Sequence, residues 1–115
     1  MKEIKFRAWG KDTMADKYEM VYFKLFELDG NAVIKKGIFL DDHIIMQFTG
    51  LLDKNGNEIY EGDIVKWFSA LVAKGKSTTK TKIVKWDSKL NGWNICDNNF
   101  FEIIGNIYET LELQI

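Results

Sequence analysis

Six lysines lie between Ile64 and Trp86 with no acidic residue among them, namely Lys66, Lys74, Lys76, Lys80, Lys82 and Lys85. The aromatic residues Trp67 and Phe68 fall within the same segment. A surface that binds single-stranded nucleic acid needs cations that meet the phosphates and rings that stack on the bases. This lysine segment therefore predicts candidate nucleic-acid contacts at its six lysines.

A purely structural interpretation explains the same segment. The net charge of the chain is -1, so the residues outside the segment carry -7 against its +6. Lysines on exposed strands also prevent those strands from pairing with other chains. Trp67 and Trp86 would then fill a core, as aromatic residues on strands commonly do. The charge pattern alone leaves both interpretations open.

The segment ALVAKGKS, residues 70–77, matches a relaxed phosphate-loop pattern. A phosphate loop needs a helix after it, because the amides at the start of that helix receive the phosphate. The residues that follow are STTKTKIV, and such β-branched residues have a low helix propensity. The context therefore argues against nucleotide hydrolysis.

Metal and nucleophile chemistry have little support in the sequence. His43 and Cys96 are the only histidine and cysteine, and neither belongs to a zinc-binding spacing. The run 41–43, Asp-Asp-His, is better explained as a solvated turn before a strand, and Cys96 as a small buried side chain. Three carboxylates cluster in NEIYEGD, where exposed turns favour acids: Glu58, Glu61 and Asp63. We therefore predict no catalytic, metal-binding or cofactor-binding residues.

The elements that must position these side chains are mostly strands. In KEIKFRAW, residues 2–9, apolar Ile4, Phe6 and Ala8 alternate with charged residues, which predicts a strand with one buried face. Residues 10–17 are polar and predict a loop, and residues 18–28 predict a second strand.

Later strands follow at close spacing. Ile44–Leu52 predicts a buried strand, and Asn55-Gly56 supplies the positive φ of a tight turn. Strands are also predicted in IVKWF, KIVKW and WNIC, with reversals at Gly62-Asp63 and Asn91-Gly92. This close spacing of strands and turns predicts a mainly β fold with little helix. Short antiparallel strands of this kind also build small barrels.

The composition bounds the class of protein. A chain of 115 residues with 46% hydrophobic content is the usual size of a single domain. A single cysteine excludes an internal disulfide and favours a reducing compartment. The longest stretch without a charged side chain, His43–Leu52, is ten residues and too short to cross a bilayer. We expect a soluble, cytoplasmic protein that does not contact a membrane.

Three blocks together resemble one family: KFRAW, IMQFTGLLDKNGNEIYEGDIVKW and FEIIGNIYE. In content and order they are similar to the YopX family of phage and prophage proteins, over nearly the whole chain. The resemblance implies a β-rich fold containing small SH3-like barrels, with N-terminal β segments at about 1–45 and a barrel-like part at about 46–115. It also implies a bacterial host and transfers no functional residue. The chain departs from the pattern at Gly10 and at Thr110-Leu111, which affects only local turn geometry.

Three functions remain as hypotheses. The first is a non-enzymatic phage accessory protein that binds another protein of the phage or host, because no catalytic constellation is present. The second is nucleic-acid binding through the lysine segment, and the third is an enzyme of unknown class. Unpaired strand edges also leave a homo-oligomer open.

Overall fold

A computed structural model describes residues 4–12, 17–24, 43–69, 78–96 and 100–110. All the regular elements in these ranges are strands, which confirms the predicted mainly β class. The described ranges contain nine strands: β1 (Lys5–Asp12), β2 (Lys17–Lys24), β3 (Ile44–Leu52), β4 (Glu58–Tyr60), β5 (Asp63–Ser69), β6 (Thr78–Ile83), β7 (Trp86–Asp87), β8 (Gly92–Trp93) and β9 (Glu102–Asn106). The finer assignment to an SH3-like barrel stays a prediction.

The chain forms two compact units, Met1–Phe48 and Thr49–Ile115. In the first unit, β1 lies between β2 and the first part of β3, and both pairings are antiparallel. Its small core contains Ala8, Val21 and Phe23. Aromatic stacking supports this core, because the ring of Phe6 lies 5.6 Å from that of Phe23.

Two predictions for the first strand are wrong. Residues 10–17 were expected to form a loop, but β1 continues to Asp12 and Gly10 pairs with Glu19 of β2. Gly10 is required there because a Cβ atom at this position would collide with the ring of His43. Arg7 was expected on the polar face, yet it is 2% exposed, so the strand is covered on both faces at that point.

The second unit holds a three-stranded sheet in the order β6-β5-β9, the β7-β8 hairpin, and β4 beside the end of β3. Its core contains Ile59, Val65, Val84, Ile95 and Phe101. Several apolar residues of the GNEIYEGDIV block are buried: Ile59, Tyr60, Ile64 and Val65. Ile64 and Val65 are adjacent in β5 and both are buried, so this part of the strand is covered on both faces.

The glycines of this block act in two different ways. Gly56 has a φ of 83° and lies in the predicted Asn55-Gly56 turn, which is confirmed. Gly50, by contrast, lies inside β3 with a φ of 87°. It provides a backbone conformation that only glycine adopts readily, without turning the chain.

Asp53 connects the β3–β4 turn to β9. Its carboxylate accepts hydrogen bonds from the backbone N–H groups of Asn55 at 2.9 Å, Asn57 at 2.8 Å and Ile103 at 3.1 Å. Burial is the largest single influence and raises the pKa of Asp53, but these hydrogen bonds together outweigh it and hold the pKa below its ordinary value of 3.8. The folded protein therefore favours the ionised carboxylate.

We expect Asp53→Asn to lower the free energy of unfolding by about 2 kcal/mol at pH 7, because the amide cannot accept all three hydrogen bonds. The stabilisation in the wild type is complete above pH 3.8 and is lost as the pH falls through the lower pKa of the folded state. Urea unfolding at several pH values measures both effects, and the variant should lose stability less steeply below pH 4.

Asp87→Asn is the matched control, because Asp87 accepts hydrogen bonds from the backbone N–H groups of Lys89 and Leu90 in a turn at the surface. It should change the free energy of unfolding by only about 0.5 kcal/mol. Equal losses in the two variants would show that Asp53 has no special structural role.

Candidate binding site

A surface cleft of about 240 Å³ lies on the second unit. Six of its lining residues, which we call the aromatic cleft, come from the β3–β4 turn, β5, β6 and the start of β9: Lys54, Lys66, Phe68, Thr79, Phe100 and Glu102.

Strand alternation explains why three of these side chains share a face. Lys66 and Phe68 are two residues apart on β5, so both point to the same side of the sheet. Lys66 is paired with Glu102 of β9, and Phe68 is paired with Thr79 of β6. The intervening Trp67 packs against the core cluster. Lys66 and Phe68 therefore share one face of β5, and Trp67 contributes both to the core and to the lining of the cleft.

The charges in the aromatic cleft converge on Glu102. Its carboxylate lies 3.2 Å from the ammonium of Lys66 and 3.6 Å from that of Lys54. The hydrogen bond from Lys66 is the largest influence and lowers the pKa of Glu102, outweighing the opposing effect of burial. Two cations against one anion give the aromatic cleft a net positive charge. These ion pairs are partly exposed, so they orient side chains more than they stabilise the fold.

Two phenylalanines in the aromatic cleft are largely exposed to solvent. Phe68 is 65% exposed and Phe100 is 69% exposed. A single exposed apolar side chain is ordinary, but two aromatic rings in one cleft form a surface that a partner can cover.

The structure divides the predicted lysine segment between different environments. Lys74 and Lys76 lie outside the described residues. Lys66 lines the aromatic cleft, whereas Lys80 and Lys82 lie on the opposite face, because strand pairing places Thr81 rather than a lysine across from Lys66. The proposed nucleic-acid contacts remain untested. The described lysines do not form one continuous patch on a single face.

Lys82 has a structural role that the sequence did not reveal. Its ammonium lies 5.0 Å from the ring centroid of Trp67 and 5.3 Å from that of Phe101. It also donates a hydrogen bond to the backbone carbonyl of Asn94. Cation–π attraction and this hydrogen bond hold Lys82 against the core. Lys85, by contrast, is exposed.

Several other residues that the sequence singled out have different surroundings from those expected. Cys96 was expected to be buried and is exposed. Asp63 was expected in an exposed turn but is 2% exposed, and its carboxylate accepts the backbone N–H of Tyr60 at 2.8 Å. Glu58 accepts a hydrogen bond from the Tyr60 hydroxyl at 3.3 Å. These acids therefore have structural partners.

His43 was expected in a solvated turn. Instead both its ring nitrogens are buried without a hydrogen-bond partner, and its ring lies against Gly10. In the part of the chain that the structure describes, no three metal-ligating side chains come together. The same part contains no helix long and apolar enough to cross a membrane.

Of the six residues that define the aromatic cleft, the sequence analysis singled out only Lys66 and Phe68. It gave no role to the other four residues, Lys54, Thr79, Phe100 and Glu102. Only the register between β5 and β9 brings Glu102 opposite Lys66, and that register cannot be read from local pattern.

A comparison with protein-family models matches residues 5–113 to the family described as "YopX protein". The chain belongs to the YopX family. No curated protein matches this YopX-family chain. A crystal structure of protein EF1440 from Enterococcus faecalis is similar to it, with a TM-score of 0.55 and 23% sequence identity. The likeness covers 98% of this chain and 99% of that one, and at this identity it supports the fold alone.

We expect Lys82→Met to lower the free energy of unfolding by about 1–2 kcal/mol, because it removes the cation from both rings and the hydrogen bond to Asn94. Urea unfolding followed by tryptophan fluorescence measures the loss. Lys80→Met is the matched control, because Lys80 is an exposed lysine on the same face of the same strand. If both variants lose the same stability, Lys82 is an ordinary surface lysine.

Proposed function

We propose that this YopX-family protein is a non-enzymatic, phage-encoded accessory protein of the bacterial cytoplasm that binds another protein through the aromatic cleft. The observation that carries this proposal is the exposure of Phe68 and Phe100 together in one cleft. Rings of this kind contribute much of the energy of protein interfaces once a partner removes them from water.

The ionic side chains of the aromatic cleft support the same proposal. Protein interfaces place polar groups around their apolar contacts, and those groups orient the partner. Glu102 holds Lys54 and Lys66 beside the exposed rings, so both cations can meet an acidic or carbonyl group of a partner. The aromatic cleft thus combines an apolar anchor with fixed charges.

Catalysis has less support at this cleft. Acid–base work by carboxylates commonly needs a second titratable group at the substrate. Among the described lining residues, Glu102 is the single carboxylate, and both adjacent lysines hold it in its ionised form. The arrangement of Glu102 between two lysines suits binding of a partner better than proton transfer.

Nucleic-acid binding is the second candidate, because the aromatic cleft does combine lysines with rings on which bases can stack. The position of Glu102 makes nucleic-acid binding the weaker of the two candidate functions. A phosphate that approached Lys54 and Lys66 would also approach this carboxylate, which lies within 3.6 Å of both ammonium groups. The repulsion opposes a polyanion more than a partner that carries a single acidic group.

The proposal predicts that Phe68→Ser and Phe100→Ser each reduce partner capture by at least about tenfold, as loss of an aromatic anchor does. The immobilised full chain is incubated with an extract of phage-carrying cells, and the retained proteins are quantified by mass spectrometry. Leu90→Ser is the matched control, because Leu90 is 66% exposed but does not line the aromatic cleft. Melting temperatures should be nearly unchanged, since all three side chains are exposed.

A protein retained by the wild type and by Leu90→Ser, but lost from both phenylalanine variants, supports the proposal. Nuclease treatment of the extract separates the two candidates. If capture disappears with the nucleic acid, or if both phenylalanine variants retain every partner, protein binding through the aromatic cleft is wrong.

A further inference from the structure

β6 is the first strand in the order β6-β5-β9, so one of its edges faces away from β5. The N–H of Val84 donates to the carbonyl of Asp63 at 2.8 Å, which turns the polar groups of Val84 toward β5. In an antiparallel ladder, successive residues direct these groups to opposite edges. The preceding residue, Ile83, therefore faces outward, and its carbonyl accepts the side-chain N–H of Asn94 at 2.9 Å.

The same alternation places the backbone N–H and C=O of Thr79 and Thr81 on the outer edge of β6. Within the described part of the chain, no hydrogen bond is made to these outward groups. As far as the structure describes the chain, Thr79 and Thr81 thus leave two N–H donors and two C=O acceptors unpaired along one line. Such an edge is a template on which another extended chain can pair.

Two neighbouring stretches of strand edge in the second unit are covered by hydrogen bonds, in contrast to the outer edge at Thr79 and Thr81. Along β9, Asp53 accepts the N–H of Ile103, and the Lys54 N–H donates to the carbonyl of Phe101. At the end of β6, Asn94 bridges the Ile83 carbonyl and the Lys85 N–H with its side-chain amide. The outer edge at Thr79 and Thr81 has no such cover among the described residues.

We infer that the outer edge of β6 receives an extended segment of the partner protein as an added strand, in which acidic and apolar residues alternate. This inference rests on the proposed function and specifies how the partner is bound. Backbone hydrogen bonds to Thr79 and Thr81 supply the affinity. Successive side chains of the added strand contact opposite faces of the sheet and supply the specificity.

One face selects apolar side chains. Thr79 lines the aromatic cleft and is paired with Phe68. A partner side chain on this face lies next to the small Thr79 and can extend over it toward the exposed phenylalanine ring. Burying that ring against an apolar partner removes both from water.

The other face selects acidic side chains. Lys80 lies on that face of β6 and is exposed, and Lys85 is exposed shortly after the strand. Neither side chain forms an ion pair within the described residues. An acidic residue on this face of the added strand would neutralise Lys80, whereas a basic segment would be repelled. Charge complementarity therefore favours an acidic partner segment.

The test measures fluorescence anisotropy of a labelled seven-residue peptide in which glutamate alternates with valine and phenylalanine, titrated with the full chain. Thr81→Pro removes an outward N–H without breaking the β5–β6 ladder, so it should weaken peptide binding by at least about tenfold. Thr81→Val, which retains the N–H, should change the dissociation constant by less than about twofold.

A second measurement does not depend on the folding of a variant. The same peptide, methylated on every backbone nitrogen, should bind the wild-type chain at least about tenfold more weakly, because it offers no N–H to the edge. A peptide with lysine in place of glutamate should also bind more weakly, and more so at low salt. If the methylated and unmethylated peptides bind equally, strand addition is wrong.

The remaining outcomes identify other occupants. Displacement of the peptide by a ten-nucleotide oligothymidylate, or self-association of the chain that Thr81→Pro abolishes, would overturn the inference in favour of nucleic acid or a second copy. If the peptide does not bind but capture still depends on Phe68 and Phe100, strand addition fails and the proposed function stands. If capture is independent of both phenylalanines, the proposed function itself fails.

Discussion

The buried carboxylate of Asp53 is the constraint on which the second unit depends. It joins the β3–β4 turn to β9, fifty residues later in the chain, by accepting N–H groups from both. A buried N–H without an acceptor costs about 1–3 kcal/mol, so these donors cannot easily separate from Asp53. Ionisation of this side chain thus supports a tertiary contact as well as a turn.

The aromatic cleft follows from this contact. With Asp53 bonded to β9, the N–H of Lys54 donates to the carbonyl of Phe101, and the Lys54 ammonium comes within 3.6 Å of Glu102. The same arrangement covers the outer edge of β9 with the turn. One buried acid therefore places a cation in the aromatic cleft, and among the described residues it is β6, not β9, whose outer backbone groups are uncovered.

Local sequence pattern predicted the parts of the fold that depend on local chemistry. The strand predicted in IVKWF contains the buried Val65, and the turn predicted at Asn55-Gly56 is present. The aromatic cleft could not be predicted in this way, because Lys66 and Glu102 meet only through strand register. Alternation assigns a residue to a face and does not say which strand lies beside it.

The lysine segment shows a related limit of prediction from sequence. A run of lysines in the sequence does not reveal which way each side chain points in the fold. On β5 and β6, alternation sends Lys66 toward Glu102 and Lys82 toward the rings of Trp67 and Phe101. Both charges are engaged within the protein, so the field outside it is weaker than the sequence suggests. What remains at the surface is a short backbone edge between exposed rings and a few exposed cations. Under the proposed function, such a surface would discriminate by hydrogen-bond geometry and side-chain alternation at short range, which is why the partner segment is proposed to be extended.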